Sequence, residues 1–300
     1  MYDLIIVGAG PAGITASVYA ARKRMDFLVI TGDIGGQTIY SWDIENFIGY
    51  QFITGEELVQ KFKEHLEKFH VAVNEGEEVT LVQRDGDRLI VETNKGRYEA
   101  KTVVVASGRK PRHLGVEGEE TFRNKGVTYC ATCDGPLFAD MDVAVVGGGN
   151  SALDAVLQLT KIAGKIHLID IAPRLSADPI MVEKAEASEK VTIYHDTRVE
   201  RIFGGKFLDG ITLSREGKSE ELPVQGVFVE IGSTPVSDFV RDVEKNGHGE
   251  IIINCKSETT VQGIFAAGDV TNVPAKQIIV ACGEGAKAAL RAFEYISKNR

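Results

Sequence analysis

Short apolar runs, each followed by a glycine turn and a helical pattern, set the organisation of this chain. Residues 4–7 form an apolar run, residues 14–22 are helical in composition, and residues 27–30 form a second apolar run. The same order of strand, turn, helix and strand returns over residues 142–169. Because a repeated βαβ unit is typical of duplicated nucleotide-binding domains, the pattern predicts two such domains.

The remaining periodicity predicts further helices and strands around these two units. Apolar residues at helical spacing predict a helix over residues 55–69 and a long final helix over residues 277–297. Residues 78–106 and 198–231 have strand-like patterns, interrupted in the first case by the turns Asp85-Gly86-Asp87 and Asn94-Lys95-Gly96. Short strands are also expected over residues 251–253 and 263–267. The predicted fold class is therefore α/β.

Composition and charge narrow the functional classes. The chain of 300 residues is 43% hydrophobic and 26% charged, which is typical of a soluble globular protein with room for two domains. Its net charge of −9 and scattered basic residues argue against nucleic acid as a partner. No apolar stretch approaches the roughly 20 residues of a membrane span. The first residues enter a strand without a basic leader, so a cytoplasmic location is expected.

The first glycine turn, GAGPAG, has the order G-x-G-x-x-G between a strand and a helix. Gly8 permits the tight turn, Gly10 lets a pyrophosphate approach the backbone, and Gly13 allows close packing of helix on strand. Pro11 falls in the first helical turn, where its missing N–H does no harm. The alternative is a glycine-rich turn without a ligand, but the flanking strand and helix favour a nucleotide site.

The second turn, GGGNSA, supplies Gly147 and Gly149, with Ala152 in place of the third glycine. Asp170 ends the following strand, at the distance where a carboxylate binds a free ribose 2′-hydroxyl and disfavours a 2′-phosphate. The alternative for Asp170 is a solvated residue at the end of a strand. Asp269 in the sequence GIFAAGDV has two interpretations, a ribose or polyol ligand and a plain turn or capping residue.

The sequence Cys130-Ala131-Thr132-Cys133-Asp134 is a C-x-x-C pair followed by a carboxylate. A zinc site lacks ligands, since there is no second such pair and no paired histidine spacing, and no metal is expected. Inert core cysteines are disfavoured because Thr132 and Asp134 to Pro136 have the composition of a surface turn. A redox dithiol fits best, with Asp134 either a general acid or base for a thiol or an ordinary turn residue.

These motifs together resemble the low-molecular-weight thioredoxin reductases. The resemblance rests on GAGPAG, on GGQ at 35–37, ENF at 45–47 and ASG at 106–108, and on CATCD, GGGNSA and GIFAAGDV in that order, over essentially the whole chain. It implies two Rossmann-like domains of three layers (ββα), the second inserted into the first. An FAD domain would comprise residues 1–110 and 240–300, and a pyridine-nucleotide domain carrying the dithiol would comprise residues 111–239. It also implies a homodimer and a hinge rotation between domains.

The resemblance also assigns roles to individual residues. Cys133 would face the flavin, Cys130 would attack the substrate disulfide, and Asp134 would be the proton donor. Gln277, opening the last helix, would lie by the flavin ring, where the helix dipole favours negative charge. The FAD contacts it implies are Gly8, Gly10, Pro11, Ala12, Gly13, Thr31, Gly36, Gln37, Asn46, Ala106, Ser107, Gly108, Gly268, Asp269, Lys276, Gln277 and Ile278. The nicotinamide-nucleotide contacts are Gly147, Gly149, Asn150, Ser151 and Asp170.

One departure from the family pattern concerns the electron donor. NADPH-using members carry His-Arg-Arg and a further arginine where this chain has Asp170, Ile171, Ala172 and Ser176, with Arg174 nearby. A carboxylate in place of a cationic clamp favours NADH over NADPH. The expected activity is reduction of a thioredoxin-like or glutaredoxin-like protein. Alternatives are a ferredoxin or deazaflavin donor, a flavin reductase or oxidase acting on a small molecule, and a non-enzymatic nucleotide-sensing or zinc-stabilised module.

Overall fold

The computed structural model describes residues 1–40, 44 and 46–298, without the side chains of residues 40, 132 and 133. It divides into two compact units. Unit 1 comprises residues 1–110 and 234–300, and unit 2 comprises residues 111–233. The second crossing between units thus lies at residues 233–234, whereas the sequence placed it at 239–240. The segment 236–241 belongs to unit 1 because its backbone pairs with Val82.

Strands and helices follow one another along the chain in the order expected of α/β units. The strands are β1 (Tyr2–Ala9), β2 (Phe27–Ile34), β3 (Val73–Glu75), β4 (Val79–Asp85), β5 (Arg88–Thr93), β6 (Arg97–Val105), β7 (Arg109–Pro111), β8 (Val127–Thr128), β9 (Asp142–Val146), β10 (Lys165–Ile169), β11 (Val191–Tyr194), β12 (Arg198–Gly204), β13 (Leu208–Arg215), β14 (Lys218–Pro223), β15 (Gly226–Val229), β16 (Ser233–Pro235) and β17 (Ile264–Ala266). The helices are α1 (Pro11–Arg22), α2 (Gly55–Lys68), α3 (Ala131–Asp134), α4 (Asn150–Leu159), α5 (Pro179–Glu186) and α6 (Ile278–Lys298).

Unit 1 is built on a sheet in the order β3-β2-β1-β6-β5-β4, with β17 also pairing with β6. Successive side chains of a strand point to opposite faces, and β1 shows this directly. Leu4 and Ile6 enter the core beneath α1 and α6, whereas Ile5 and Val7 enter a second core with β4 and β5. The sheet is therefore buried on both faces, which explains why β1 is a continuous apolar run.

Unit 2 repeats this plan on a parallel sheet in the order β11-β10-β9-β15-β8. Val143 and Val145 of β9 pack in the core that contains α4, whereas Ala144 and Val146 pack in the core that contains β12 and β13. Strands β12, β13 and β14 form an antiparallel sheet of their own. Each unit thus stacks helices, a parallel sheet and antiparallel strands, which confirms the predicted α/β class with two ββα units.

Local differences from the sequence expectations occur where the apolar signal is short. The CATCD segment forms the helix α3 and runs into a 3-10 turn (Gly135–Phe138), whereas a surface turn was expected. Ala131 and Phe138 are buried in the unit 2 core, and this packing explains the helical turn. In place of a strand over residues 251–253, Ile251 forms two isolated bridges, to Lys245 and Thr271. Within the described ranges, every helix lacks the combination of length and apolar character that crossing a membrane requires.

We expect the contact between α1 and α6 to depend on one glycine. A Cβ on Gly285 would collide with the carbonyl oxygen of Ala12, whereas a Cβ on Gly283 would meet no atom within 4 Å. Gly285→Ala should therefore destabilise the protein by about 1–3 kcal/mol through overpacking. Gly283→Ala, the matched control, should be neutral or stabilising by up to about 1 kcal/mol, because alanine favours a helix. Urea unfolding midpoints of both variants measure this, and equal midpoints would contradict the close contact.

Candidate functional site

A cavity of about 410 Å³ opens in unit 1 where the carboxyl ends of β1, β2 and β6 meet. Crevices at the carboxyl ends of parallel strands are where open α/β sheets bind ligands, and this volume lies in the usual range for ligand pockets. The lining includes most of the predicted FAD contacts. These are Gly8, Gly10, Pro11, Ala12, Thr31, Gly36, Gln37, Ala106, Ser107, Gly108, Gly268, Asp269, Lys276, Gln277 and Ile278.

The glycine turn at the head of the cavity leaves no room for side chains at two of its three glycines. Gly8 has a φ of +100°, and a Cβ there would collide with the carbonyl oxygen of Ala106. A Cβ on Gly13 would collide with the carbonyl oxygen of Gly8. Around Gly10 nothing lies within 4 Å of such a Cβ, so its backbone is open to the cavity. This is the arrangement that lets a pyrophosphate approach the chain.

No side chain among the described residues caps the N-terminus of α1. Gly10 is the N-cap residue, it provides no side-chain cap, and the first turn holds no acidic residue. By contrast, α2 has a complete capping box formed by Thr54 and Glu57. Free N–H groups and the helix dipole make such an end suited to an anion.

Asp269 is a half-buried carboxyl that lines the cavity and accepts no hydrogen bond from any described residue. Burial raises its pKa, while Lys276 and Arg109 oppose this rise. An acceptor without a donor beside a cavity fits a ligand hydroxyl such as that of a ribityl or ribose group. With the open backbone at Gly10 and the uncapped helix α1, these residues fit a flavin dinucleotide.

Glu250 organises the cations around this carboxyl, and the sequence pattern did not reveal it. Its Oε1 lies 2.9 Å from the Lys276 Nζ and 2.9 Å from the Arg109 guanidinium, while Asn246 donates to Oε2 at 2.7 Å. Burial would raise the pKa of Glu250, but the hydrogen bonds from Asn246, Lys276 and Arg109 and the charge of Lys276 together lower it. Glu250 stands in a loop without a motif, and only the folded chain brings it to Lys276.

Other predicted contacts are already engaged within unit 1. The Asn46 amide donates to Gln277 Oε1 at 3.1 Å, which joins two residues assigned to the flavin site. The Thr31 hydroxyl accepts from the Ala9 N–H at 3.1 Å. The Ser107 hydroxyl donates to the Val236 carbonyl at 2.6 Å. These side chains therefore hold the walls of the cavity together.

In unit 2 the second glycine turn brings Asp170 against the backbone. A Cβ on Gly147 (φ +137°) would collide with the Glu230 carbonyl, and one on Gly148 would collide with the Asp170 carboxylate. Asp170 is 8% exposed, directly after β10. The first turn of α4 again has no side-chain cap and no acidic residue. The Asn150 side chain is paired with Asp178 at 2.8 and 3.2 Å, and Ser151 is exposed on the same turn.

Glu230 follows β15 beside this turn and was not singled out from the sequence. Strands β9 and β15 are neighbours in the sheet order, at the point where that order reverses. Burial, and next the charge of Asp154, raise the pKa of Glu230 to about 8. A carboxyl of this kind is largely protonated at neutral pH, so it can donate a hydrogen bond at the switch point of the sheet.

The predicted dithiol segment lies in unit 2, just before β9. The Thr128 hydroxyl donates to Asp134 Oδ2 and accepts from the Cys130 N–H at 3.1 Å. The side chain of Cys133 is outside the described residues, so the sulfur pair itself stays a prediction. Cys255 and Cys282 are free thiols. Thr128 was also missed from the sequence, since a threonine in a two-residue strand carries no distinguishing signal.

Comparison with known proteins gives the family. The sequence profile described as pyridine nucleotide-disulphide oxidoreductase matches residues 2–285. The chain belongs to the pyridine nucleotide-disulphide oxidoreductase family. Membership implies a flavin and a nicotinamide cofactor.

Relatives and solved structures within this family carry different names. The chain is 39% identical to alkyl hydroperoxide reductase F of Staphylococcus aureus (strain MSSA476) over 99% of its own length. It is also 39% identical to a Bacillus subtilis (strain 168) protein named NADH dehydrogenase, over 99% of its length. It spans about 60% of the length of these curated relatives.

The structure of Lactococcus lactis thioredoxin reductase matches with a TM-score of 0.92 and 34% identity, over 99% of this chain and 100% of that one. The resemblance to low-molecular-weight thioredoxin reductases is thereby confirmed.

Asp269→Asn should weaken FAD binding and, at neutral pH, increase the stability of the apoprotein. Loss of the carboxylate should weaken FAD binding by about 1.5–3 kcal/mol, the usual range for a hydrogen bond to a charged group. The pKa of Asp269 is raised by burial, so its ionisation costs apoprotein stability as pH rises through that pKa. The apoprotein of the variant should therefore unfold at a higher temperature than the wild-type apoprotein at neutral pH. The two unfolding temperatures should become equal at a pH below the ordinary carboxyl pKa.

The measurements are FAD titration of apoprotein followed by flavin fluorescence, and thermal unfolding of apoprotein across pH. Asp238→Asn is the matched control, since Asp238 is an exposed carboxylate of unit 1 outside the lining of the cavity. Unchanged FAD affinity in Asp269→Asn would remove Asp269 from the flavin site.

Proposed function

We propose that this protein is an FAD-dependent thioredoxin-disulfide reductase that takes electrons from NADH and passes them through the Cys130–Cys133 dithiol to a thioredoxin-like or glutaredoxin-like protein. The overall reaction converts NADH, one proton and a protein disulfide to NAD⁺ and two protein thiols. Bound FAD would accept two electrons from the nicotinamide and deliver them to the disulfide of the dithiol. The match to thioredoxin reductase over the full length of both chains supports this acceptor.

The observation that carries the proposal is the local geometry of α3. Cys130 directly precedes the helix and Asp134 ends it, so a sulfur and a carboxyl lie within one helical turn. The Asp134 N–H donates to the Cys130 carbonyl at 3.2 Å, which fixes this spacing. A carboxyl one helical turn from a cysteine is suited to supplying a proton during thiol–disulfide exchange.

The chain's own residues supply the exchange chemistry. The Cys130 thiolate would attack one sulfur of the partner disulfide and form a mixed disulfide, releasing the second partner sulfur as a thiolate. The Cys133 thiolate would then attack Cys130 Sγ, which forms the Cys130–Cys133 disulfide and releases the first partner sulfur. Asp134 would give its proton to a departing thiolate. Two electrons thus leave the dithiol and reduce the partner.

The cofactor contacts predicted from the sequence define where the nucleotides would be held. Gly8, Gly10 and Asp269 in unit 1 would hold FAD, at the uncapped N-terminus of α1. In unit 2, Gly147, Gly149 and Asp170 would hold the nicotinamide nucleotide, at the uncapped N-terminus of α4. The position of Asp170 against Gly148 favours NADH, because a 2′-phosphate there would meet a carboxylate.

A second candidate follows from the relatives named NADH dehydrogenase and alkyl hydroperoxide reductase F. In this candidate the flavin would reduce a small acceptor such as oxygen or a quinone directly, and the dithiol would serve only as an electron store. NADH oxidation that survives the loss of both Cys130 and Cys133 would favour it.

A homodimer and a cytoplasmic location belong to the same proposal. The likeness to thioredoxin reductases supports a second copy of the chain as partner. Sedimentation equilibrium of the FAD-loaded protein measures the dimer.

Removing either cysteine of the dithiol should leave flavin chemistry intact and abolish the reduction of thioredoxin. Cys130→Ser and Cys133→Ser should each retain FAD and its bleaching by NADH, because the nucleotide contacts lie elsewhere in the chain. Cys255→Ser is the matched control, since Cys255 is an exposed free thiol. Insulin precipitation coupled to thioredoxin measures turnover, and full turnover by either dithiol variant would refute the dithiol step.

The donor preference should follow Asp170. Stopped-flow bleaching of the flavin should be at least about tenfold more efficient with NADH than with NADPH, a ratio worth about 1.4 kcal/mol. Asp170→Asn should narrow the ratio, because the charge that repels the 2′-phosphate is removed. Glu189→Gln, which alters an exposed carboxylate of the same unit, should leave the ratio unchanged. Equal efficiency of the two donors with wild type would exclude this role of Asp170, and no bleaching with either would indicate another donor.

A further inference from the structure

Thr128 sits where the predicted acid and the dithiol segment meet. The residue is 5% exposed at the end of β8. Its hydroxyl donates to Asp134 Oδ2 and accepts from the Cys130 N–H at 3.1 Å. One side-chain oxygen therefore contacts the carboxylate that follows the C-x-x-C pair and the backbone of its first cysteine.

The direction of these two hydrogen bonds is determined by chemistry. A backbone N–H only donates, so the hydroxyl accepts it with a lone pair and has its one proton left for the Asp134 carboxyl. The proton of Thr128 must therefore point to Asp134 while its lone pair faces Cys130. The Thr128 hydroxyl therefore binds one oxygen of the Asp134 carboxyl, Oδ2, and does not contact the other.

We propose that Thr128 is a positioning residue for the disulfide exchange, whose hydroxyl orients the Asp134 carboxyl and fixes the backbone of Cys130 relative to it. The inference rests on the proposed function of the dithiol, and it adds a residue to that machinery. The described contacts of the Thr128 hydroxyl are to the Asp134 carboxyl and the Cys130 backbone. It acts by holding the Asp134 carboxyl at a constant position relative to the backbone of Cys130.

The alternative is a structural role, in which the hydroxyl merely satisfies buried polar groups at the end of a short strand. Both roles predict some loss of stability when the hydroxyl is removed. Only a positioning role predicts that the effect on the reaction depends on the presence of Asp134. Two residues that act as one unit give non-additive losses in a double-mutant cycle.

The experiment measures the reaction of the pre-reduced, desalted protein with Ellman's disulfide, which yields the protein disulfide and two aromatic thiols. The cycle comprises wild type, Thr128→Val, Asp134→Asn and the double variant. We expect Thr128→Val and Asp134→Asn each to slow the reaction by about tenfold or more. General acid–base catalysis typically contributes about a hundredfold or more to a rate, so a loss of this size is within its range. The double variant should be no slower than Asp134→Asn alone, and Thr128→Ser should restore the wild-type rate.

Thr102→Val provides the matched control for a buried threonine. Thr102 is fully buried and donates to the Asp3 carbonyl at 2.7 Å, in unit 1 and away from the dithiol segment. It should lower the unfolding midpoint without changing the rate. If Thr128→Val does not fold, Thr128→Ala takes its place in the cycle.

Three outcomes would overturn the inference. These are additive losses in the double variant, a rate for Thr128→Ser as low as that of Thr128→Val, and an unchanged rate in either single variant. Because the probe needs neither FAD nor thioredoxin, the result is independent of the physiological acceptor. Failure of wild type to reduce any thioredoxin would refute the proposed function, while the cycle would still decide the role of Thr128.

Discussion

The close approach of the first turn of α1 to its surroundings is the constraint on which the flavin site depends. Gly13 has no room for a Cβ because of the Gly8 carbonyl, and Gly285 of α6 has none because of the Ala12 carbonyl. A Cβ on Gly268 would lie 2.9 Å from that of Ala12. The segments that contain Gly8, Gly268 and Gly285 thus all pack closely against the first turn of α1. Because each contact is made by a glycine, the N-terminus of α1 is held in place while no side chain of the described residues caps it.

The same constraint recurs in unit 2 with a different chemical result. Gly147 again excludes a side chain, and Ala152 replaces the third glycine, with its Cβ 3.3 Å from the place where a Gly147 Cβ would be. Here the residue against the turn is charged, because the Asp170 carboxylate packs on Gly148. In the proposed function, one backbone arrangement would therefore serve two nucleotides, and the side chain that follows the second strand would distinguish them.

The sequence revealed what depends on local chemistry and periodicity. The glycine turns, the flanking strands, α2 and α6 are all visible from spacing, since a turn at Gly8 or an apolar face on α2 is a property of neighbouring residues. Glu250, Glu230 and Thr128 were not visible, because each gains its partners only when distant segments fold together. The CATCD segment shows the same limit, since its polar composition indicates a turn while burial of Ala131 and Phe138 makes it helical.

Asp269 and Asp134, the two carboxyls to which a role is assigned, are surrounded by different groups. Asp269 faces the cavity without a hydrogen-bond donor among the described residues, and the nearby cations Lys276 and Arg109 are both held by Glu250 at 2.9 Å. Its free acceptor oxygens remain available to a ligand, and the fixed positive charges limit the cost of burying it. Asp134 instead accepts the Thr128 hydroxyl, a neutral donor. A neutral hydroxyl donor orients the Asp134 carboxyl without adding a charge beside it.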